Sequence, residues 1–261
     1  MNEKRGDLSI LVLSCDKYND VWPLFFECFF KYWQNCQYDI YLGANKKTFN
    51  HKKVASLLTG DDIDWSSSLR KIINQIDSKY IFITLEDLFF IEKVDSEKFK
   101  KYFDILKDKN FNYCHINNLT KPDYILDNGM GIYKKGAPYR INVLGIWKKD
   151  YLLKILINGE SPWNFEIMGS YRSAYDDGIY CLPNNIFKTI NAIEKGRWCS
   201  DKLKILQKLG FQFNINSREV LGGVSLLKSK MQIVIFKLVK LISWEKRLKI
   251  MNVLRRILIS Y

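Results

Sequence analysis

The stretch that decides the fold reads Tyr80-Ile-Phe-Ile-Thr-Leu-Glu-Asp-Leu-Phe-Phe-Ile91. It is rich in β-forming residues, which predicts a buried strand, and it carries two adjacent acids, Glu86 and Asp87. Unpaired carboxylates are costly inside a strand, so we expect the pair at its carboxyl end, facing a ligand crevice. Oxygen ligands suit Mn2+ or Mg2+, and the pair therefore predicts a metal-diphosphate site. The alternative is an acid pair that caps a helix or meets Arg70 or Lys71 at the surface.

Strand and helix signals alternate over the first half of the chain. Residues 8–14 and 38–43 have strand patterns, and residues 21–33 and 67–76 have helix patterns. The order β-α-β-α-β implies right-handed parallel crossovers, so the carboxyl ends of the strands gather at one edge of the sheet. We predict an α/β fold with a Rossmann-like, mostly parallel sheet flanked by helices.

The middle of the chain is less regular. Its patterns predict a helix over residues 96–107, a strand over 111–116, a loop over 117–138, a strand over 140–147 and a helix over 149–157. Residues 159–173 mix polar, aromatic and small side chains without a clean period. Such a mixed segment is typical of a site lining.

Composition indicates a globular chain with a basic end. The 261 residues are 47% apolar and 15% aromatic, enough for one large core or two small ones. The net charge is +13, of which residues 222–261 carry +8. This concentration of charge predicts a local anionic partner.

Cysteine and histidine usage argues against a zinc site. The six cysteines form no CxxC pair, and there are only two histidines. We expect reduced thiols. Neither a signal-peptide apolar region nor a run of about 18 uncharged apolar residues is found, which predicts a cytosol-facing protein without a spanning helix.

Five short segments between about residues 8 and 198 resemble bacterial glycosyltransferases of the GT-A type, which use nucleotide-diphosphate sugars to build surface polysaccharides such as O-antigen and capsule. They are Leu11-Val-Leu-Ser-Cys-Asp16, Asp64-Trp-Ser-Ser-Ser-Leu-Arg70, Leu85-Glu-Asp-Leu88, Ser161-Pro-Trp-Asn-Phe-Glu166 with Gly169-Ser170, and Glu194-Lys-Gly-Arg-Trp198. The acid pair departs from the usual Asp-x-Asp form of that family. It is similar to a Glu-Asp-Asp variant whose last acid is replaced by Leu88.

The resemblance implies a role for each matching residue. Asp87 would bind the metal, and Glu86 would bind ribose or an outer-shell water. The remaining donor-site residues would be Ser14, Cys15, Asp16 and Asn45 at the base and ribose, Trp65, Ser67 and Arg70 at the start of a helix near the nucleotide, and Lys195 or Arg197 at the leaving diphosphate.

Glycosyl transfer with inversion also needs a base for the acceptor hydroxyl. The candidate is Glu166, because Trp163 and Phe165 could form an apolar sugar platform that raises its basicity. Asp176 and Asp177 are the other candidates. The alternatives are that Glu166 pairs with Arg172, or that the enzyme retains configuration and needs no base.

Residues 222–261 have the pattern of two basic amphipathic helices. Ile235, Leu238 and Ile242 fall on one helical face, opposite Lys237 and Lys240. Such helices suit an anionic membrane surface, and residues 1–221 would form the catalytic domain. Docking of these faces on the catalytic core, or formation of a homodimer, is the alternative.

The sequence therefore predicts a glycosyltransferase that moves a sugar from a nucleotide donor, UDP-linked according to the resemblance, to a lipid-linked saccharide. It would act peripherally at the cytoplasmic face of the bacterial inner membrane. The rival classes are a nucleotidyltransferase acting on sugar phosphates, which would need a Gly-rich loop after the first strand, and a non-catalytic membrane-surface protein. No nucleic-acid partner is expected, because the body of the chain lacks strands that interleave aromatic and basic residues.

Overall fold

The computed structural model describes residues 6–61, 63–117, 121–136 and 140–221, with six positions between 242 and 253. A nine-stranded mixed sheet forms its centre. The strands are β1 (Leu8–Leu13), β2 (Asp39–Ala44), β3 (Val54–Leu58), β4 (Tyr80–Leu85), β6 (Tyr113–His115), β7 (Tyr124–Ile125), β8 (Gly131–Ile132), β9 (Gly145–Lys148) and β10 (Ile179–Cys181), in the order β3-β2-β1-β4-β9-β6-β10-β8-β7.

Most of these strands run in one direction. β1 pairs in parallel with β2 on one side and with β4 on the other, and β6 and β10 run the same way as β4. β9 is antiparallel to both of its neighbours, β4 and β6, and β8 is antiparallel to β10. The predicted α/β architecture with a mostly parallel sheet is confirmed, with reversed strands in its second half.

Segments that follow the acid pair in the sequence form two small sheets. β5 (Leu88–Phe90) pairs with β11 (Thr189–Asn191), and β12 (Ile193–Glu194) and β14 (Val220–Leu221) flank β13 (Arg197–Cys199). The backbone carbonyl of Asp87 accepts a hydrogen bond from the N–H of Ala192 at 3.2 Å. The chain after residue 187 therefore returns to the end of β4.

Helices cover both faces of the central sheet. They are α1 (Trp22–Tyr32), α2 (Trp65–Asn74), α3 (Ser96–Asp108), α4 (Lys149–Ile155), α5 (Pro162–Arg172) and α6 (Ser200–Lys208). Apolar side chains of α1, α3 and α6 join one buried cluster, and those of α2, α4 and α5 join a second cluster on the other face. The predicted packing of the aromatic helix on the sheet is confirmed, since Trp22, Phe25, Phe29 and Trp33 are buried.

Side-chain caps fix where three of these helices begin. Asp64 accepts from the N–H of Ser67 before α2, and Asp95 accepts from the N–H of Lys98 before α3. Ser161 caps α5, whose first residue is Pro162, and proline is favoured there because that N–H needs no helical partner.

The structure differs from the element predictions in four places. The segment 117–138, predicted as a loop, contains β7 and β8. β3 was not predicted, because the edge strand Val-Ala-Ser-Leu-Leu follows a polar loop. Residues 159–173 contain the helix α5, whose period is weak because Gly169 and Ser170 supply close contacts to Ile141. Of the strand predicted over 140–147, only β9 from Gly145 onward forms, since residues 141–144 turn toward α5.

The predicted amphipathic helices of residues 222–261 lie outside the described residues, apart from the six positions between 242 and 253. Within the part of the chain that the structure describes, every helix is too short or too polar to cross a membrane.

Gly145 combines a positive φ with tight surroundings. Its φ is +147°, and a Cβ there would lie 2.4 Å from Cε2 of Tyr113 and 2.6 Å from the carbonyl oxygen of Cys114. We expect Gly145→Ala to lower the free energy of unfolding by more than about 3 kcal/mol, because it adds overpacking to backbone strain.

Gly210 is the matched control. Its φ is +85° and a Cβ added there would have no neighbour within 4 Å, so Gly210→Ala carries only the left-handed backbone cost of about 1–2 kcal/mol. Urea unfolding of both variants measures the difference. Equal losses of stability would contradict the proposed close contact at Gly145.

Candidate functional site

The strand order places a topological switch point between β1 and β4. From β1 the chain passes to β2 and β3 on one side, and then crosses to β4 on the other side of β1. Ligands of open α/β sheets bind at such a switch point, outside the carboxyl ends of the strands. Leu13 pairs with Leu85, so the residues that follow β1 and those that follow β4 emerge side by side. Ser14 and Glu86 are the first residues beyond that pair.

The acid pair lies in the turn between β4 and β5, as predicted. Glu86 is buried, and burial together with the negative charge of Asp87 raises the pKa of Glu86 to about 8. Burial likewise raises the pKa of Asp87 to about 6. Oδ1 of Asp87 is buried without a hydrogen-bond partner in the described part of the chain. The two carboxyls are therefore short of compensating donors, and neither forms an ion pair with a residue that the structure describes.

Residues after β1 surround the acid pair on one side. Ser14 Oγ accepts a hydrogen bond from Trp22 Nε1 at 2.8 Å, and the Ser14 hydroxyl also bonds the Glu86 carboxylate, which opposes the rise in its pKa. Half-buried Cys15 lies next along the chain, and its carbonyl accepts from the N–H of Tyr18. Ser14 and Cys15 thus lie at the carboxyl end of β1, beside the acid pair.

Asp16 and Asn45 hold each other across β1 and β2. Asp16 Oδ1 accepts from the backbone N–H groups of Asn45, Lys46 and Lys47 at 3.0–3.1 Å, and Asn45 Oδ1 accepts from the N–H of Asp16 at 3.1 Å. Burial alone would raise the pKa of Asp16, but these donors outweigh it and the pKa is lowered. Asp16 is an ionised carboxylate that fixes two loops at the rim of the crevice.

Two residues at this site were not predicted from the sequence, Tyr18 and Arg218. The Arg218 guanidinium lies over the Tyr18 ring, 4.2 Å from its centroid. The charges of Glu86 and Asp87 raise the pKa of Tyr18 further after burial has raised it, so both acids lie close to its hydroxyl. Tyr18 could have been predicted as a site residue, because it lies two residues beyond Asp16 in the sequence. No local sequence pattern predicts Arg218 as a site residue.

Lys195 and Arg197 belong to the β12–β13 hairpin. Its two-residue turn is Lys195-Gly196, with φ of +52° and +77°, the left-handed pair that such hairpins require. The turn packs toward the loop after β1, because a Cβ on Gly196 would lie 3.9 Å from the Tyr18 hydroxyl. Lys195 is exposed, and Arg197 Nε lies 3.4 Å from Glu219 Oε2.

The start of α2 lies at the same sheet edge, but its polar groups are already bonded. Asp64 accepts from the N–H groups of Ser67 and Gly159 and from the Ser66 hydroxyl, and these donors outweigh burial and hold the pKa of Asp64 well below its usual range. Trp65 packs against Phe165, with ring centroids 5.5 Å apart. The helix N-terminus is thus closed by its own carboxylate.

Arg70 is placed differently from the sequence expectation. Its guanidinium donates to the carbonyls of Leu153 and Leu156 and, at 3.1 Å, to Asn158 Oδ1. These acceptors lie at the end of α4, so Arg70 joins α2 to α4. Its donors are used within the fold, which corrects both the predicted nucleotide contact and the alternative pairing with the acid pair.

Glu166 lies on α5 beside the segment that leads into β9. Its Oε1 accepts from the N–H of Val143 at 3.3 Å. Because Ile83 pairs with Gly145, the residues just before Gly145 run alongside the carboxyl end of β4. Burial raises the pKa of Glu166 to about 7, and the Val143 bond opposes that rise. A carboxyl group with this pKa can exchange a proton near neutral pH.

The surroundings of Glu166 correct two expectations. Phe165 is fully buried while Trp163 is 74% exposed, so the two rings face opposite ways and form no joint sugar platform. Arg172 forms a two-pronged bond with Glu160, at 2.8 Å for each contact. The alternative pairing of Glu166 with Arg172 is therefore wrong.

Asp176 and Asp177 are at the wrong end of the sheet to serve the acid pair. They precede β10, which runs parallel to β4, whereas Glu86 and Asp87 follow β4. The strand length separates the two edges by more than about 15 Å. Asp176 accepts from the Tyr151 hydroxyl, and the Asp177 side chain is 87% exposed. Both line an open surface cavity of about 610 Å³ at that edge.

The donor set fits a hard divalent cation that is shared with a ligand. No group of three or more His, Cys, Asp or Glu side chains is placed to hold a metal among the residues that the structure describes. Asp87, with an unpartnered buried oxygen, and Glu86 beside it supply two carboxylates. Mg2+ keeps several waters and is commonly bound by one or two carboxylates plus substrate phosphates, which matches this set.

No protein-family model matches this sequence, and no curated protein sequence matches it. Solved structures resemble the fold. The crystal structure of S. aureus TarS does so with a TM-score of 0.48 and 9% identity, covering 77% of this chain and 38% of that one. S. aureus TarS 1-349 in complex with UDP does so with a TM-score of 0.45 and 10% identity, covering 77% and 64%.

A cytidylyltransferase from Leptospira borgpetersenii serovar Hardjo-bovis also resembles the fold, with a TM-score of 0.47 and 12% identity, covering 87% of this chain and 96% of that one. The chain spans less than two thirds of the length of the TarS structures. Likenesses of this size leave the function to be argued from the site itself.

Cation binding at the acid pair should strengthen as protons leave it. Both carboxyls have folded pKa values above their unfolded values, so they favour the folded state at low pH. That contribution is lost as the pH rises through about 6 and about 8. A bound cation offsets this loss, because it favours the ionised form. We expect Mn2+ to raise the melting temperature more at about pH 8.5 than at about pH 6.

The matched variants are Asp87→Asn, which should lose the Mn2+ effect, and Asp177→Asn at the opposite edge, which should keep it. Differential scanning fluorimetry measures all three proteins. A Mn2+ response that survives in Asp87→Asn would contradict the assignment.

Proposed function

We propose that this chain is a glycosyltransferase that moves a sugar from a nucleoside-diphosphate donor to a hydroxyl of a saccharide acceptor. The observation that carries the proposal is the buried acid pair at the switch point between β1 and β4, with one carboxylate oxygen left without a partner among the described residues. A site of this kind suits a diphosphate that arrives together with a cation. UDP is the nucleotide that the sequence resemblance favours.

In this proposal the donor lies across the carboxyl ends of β1 and β4. Ser14, Cys15 and the Asp16–Asn45 pair form the rim for the base and ribose, and Glu86 bonds ribose or an outer-shell water. Asp87 holds Mn2+ or Mg2+, which supplies positive charge against the leaving diphosphate. Lys195 and Arg197, on the hairpin beside Tyr18, add further positive charge on the same side.

Glu166 is proposed as the base of an inverting reaction. The hydrogen bond from the Val143 N–H orients its carboxylate at the carboxyl edge of the sheet. The acceptor hydroxyl gives its proton to Glu166 as its oxygen bonds the anomeric carbon and the bond to the diphosphate breaks. The raised pKa, about 7, makes Glu166 a stronger base than an exposed glutamate.

The proposed acceptor is a lipid-linked saccharide, and the proposed place is the cytoplasmic face of a bacterial membrane. This part of the proposal is supported by the net charge of +8 on residues 222–261 and by their amphipathic pattern. O-antigen or capsule synthesis would be the pathway class, in keeping with the resemblance.

Replacing the proposed base should abolish turnover without removing the donor. We expect Glu166→Gln to lower kcat by about 10²–10⁴-fold, because that is the usual contribution of a general base. Wild-type kcat should rise with pH through about 7, as Glu166 ionises. Donor binding, followed by calorimetry, should change little.

Asp177→Asn is the control, because its side chain is exposed at the opposite edge. The assay follows release of nucleoside diphosphate from UDP-sugars. Full turnover by Glu166→Gln would remove the base assignment. Release of pyrophosphate from nucleoside triphosphate and sugar phosphate would instead identify a nucleotidyltransferase.

The charge of residues 222–261 should govern membrane attachment. Replacing Lys228, Lys230, Lys237 and Lys240 by Gln in the full chain removes four positive charges. We expect this variant to sediment less with vesicles of phosphatidylcholine and phosphatidylglycerol, and addition of salt to the wild type to act similarly. Vesicles of phosphatidylcholine alone are the control. Unchanged sedimentation with anionic vesicles would contradict electrostatic attachment.

A further inference from the structure

Arg218 makes an unusual number of contacts for a residue just before the last described strand. Its Nε and NH2 groups donate to Oδ2 and Oδ1 of Asp20 at 2.9 and 2.7 Å. NH2 also donates to the carbonyl of Lys17 at 2.9 Å, and NH1 donates to the carbonyl of Gly196 at 3.1 Å. The side chain is 9% exposed. We call Arg218 with Lys17, Tyr18, Asp20 and Gly196 the Arg218 clasp.

The clasp joins three segments that are distant in sequence. One is the loop after β1, one is the turn of the β12–β13 hairpin, and the third is the chain that enters β14. The backbone of the third segment is itself held, because the carbonyl of Glu219 accepts from the N–H of Trp198 at 2.8 Å and Val220 pairs with Trp198. The guanidinium is therefore presented from a fixed strand rather than from a free end.

The clasp stands next to the acid pair. The Tyr18 ring lies under the Arg218 guanidinium. Burial, and then the negative charges of Glu86 and Asp87, raise the pKa of the Tyr18 hydroxyl. The negative charge of Glu86 also acts on Arg218. Residues 17–20 follow β1, whose Leu13 pairs with Leu85 just before the acid pair. The carbonyl of Asp87 accepts a hydrogen bond from the N–H of Ala192, which precedes β12 and the 195–196 turn. The two segments that Arg218 joins therefore border the acid pair.

We propose that Arg218 is a positioning residue of the donor site. By binding residues 17–20 to the 195–196 turn, it fixes the spacing between the two walls that border the acid pair, where a nucleoside diphosphate and its divalent cation bind. This inference rests on the proposed function. It assigns Arg218 no contact with the donor, because four of its five N–H groups donate to Asp20 and to two backbone carbonyls.

The chemistry of these contacts requires arginine. A planar guanidinium can bond a carboxylate with two N–H groups, donate to two carbonyls and stack on an aromatic ring at the same time. A lysine keeps the charge but has only three donors on one nitrogen. Arg218→Lys therefore separates a positioning role from simple neutralisation of the acid pair.

The experiment measures binding of UDP, CDP, GDP and ADP with Mn2+ to the full chain by calorimetry. We expect Arg218→Lys and Arg218→Met to weaken the Kd of the nucleotide that binds best by about 10- to 100-fold, the usual loss when a residue that orients a ligand-binding group is removed. Where turnover is measurable, KM should rise more than kcat falls. Arg218→Asp combined with Asp20→Arg should fail to restore binding, because an aspartate at 218 cannot donate to the two carbonyls.

Phe103→Leu on α3 is the control for stability. It lies in the buried cluster of α1, α3 and α6, where its ring packs against those of Tyr80, Phe99 and Phe111, so it should lower the melting temperature and leave the Kd unchanged. Hydrogen exchange of the ligand-free proteins gives a second readout. Backbone amides of residues 17–20 and 195–197 should exchange faster in Arg218→Lys than in Phe103→Leu.

The outcomes separate the two proposals. If the wild type binds a nucleoside diphosphate and Arg218→Lys binds it equally well, the positioning role is overturned and the proposed function stands. If Phe103→Leu loses as much affinity as Arg218→Lys, the effect is one of stability and the positioning role is again overturned. If the wild type binds none of the nucleotides with Mn2+, the proposed function fails and this inference fails with it.

Discussion

The proposed site depends on two adjacent carboxyl groups that the fold holds largely out of water. β1 lies between β2 and β4, so the switch point of the sheet falls at the carboxyl ends of β1 and β4. Glu86 and Asp87 follow β4 at that point. Among the described residues, Arg218 is a cation that acts on both acids, and four of its five N–H groups are already bound to Asp20 and to backbone carbonyls. The free chain therefore keeps the pair partly protonated, and a ligand that brings positive charge relieves the cost of ionising it.

The acidic residues at this edge of the sheet are of two kinds, which differ in the number of hydrogen bonds that their carboxyl groups accept. Asp16 and Asp64 each accept several backbone N–H bonds, which hold their pKa values low and use them to close loops and a helix end. Glu86 is buried and Asp87 and Glu166 are half-buried, each with few donors, and their pKa values are raised. The first kind stabilises the fold. The second kind makes few hydrogen bonds within the protein, so these carboxyl groups are available to bind a ligand or to accept a proton.

Local sequence patterns predicted the elements that build the switch point, because buried parallel strands and amphipathic helices have strong periods. The acid pair and Ser14 were predicted for the same reason, since strand ends can be located from the sequence. The sequence patterns did not predict β3, because an edge strand needs few apolar residues. They did not predict α5 either, because that helix packs through Gly169 and Ser170. Nor could they show that Arg70 is bound at the end of α4.

Long-range contacts account for the other differences between sequence and structure. Asp177 was a candidate because of its residue type, but only the order of the strands shows which edge it occupies. Arg218 is separated by about two hundred positions from Lys17 and Asp20, and nothing near it in the sequence marks it. Trp163 and Phe165 are two positions apart, which on a helix directs one ring to solvent and the other to the core.

The Arg218 contacts also bear on the order of events during synthesis. A ribosome completes β1, β2 and β4 early, so the sheet edge with its acids can form while most of the chain is still unmade. Residues 17–20 cannot bond the Arg218 guanidinium until residue 218 has left the ribosomal exit tunnel. A nascent polypeptide that stops short of that point would carry the acids but would leave residues 17–20 without the hydrogen bonds from Arg218.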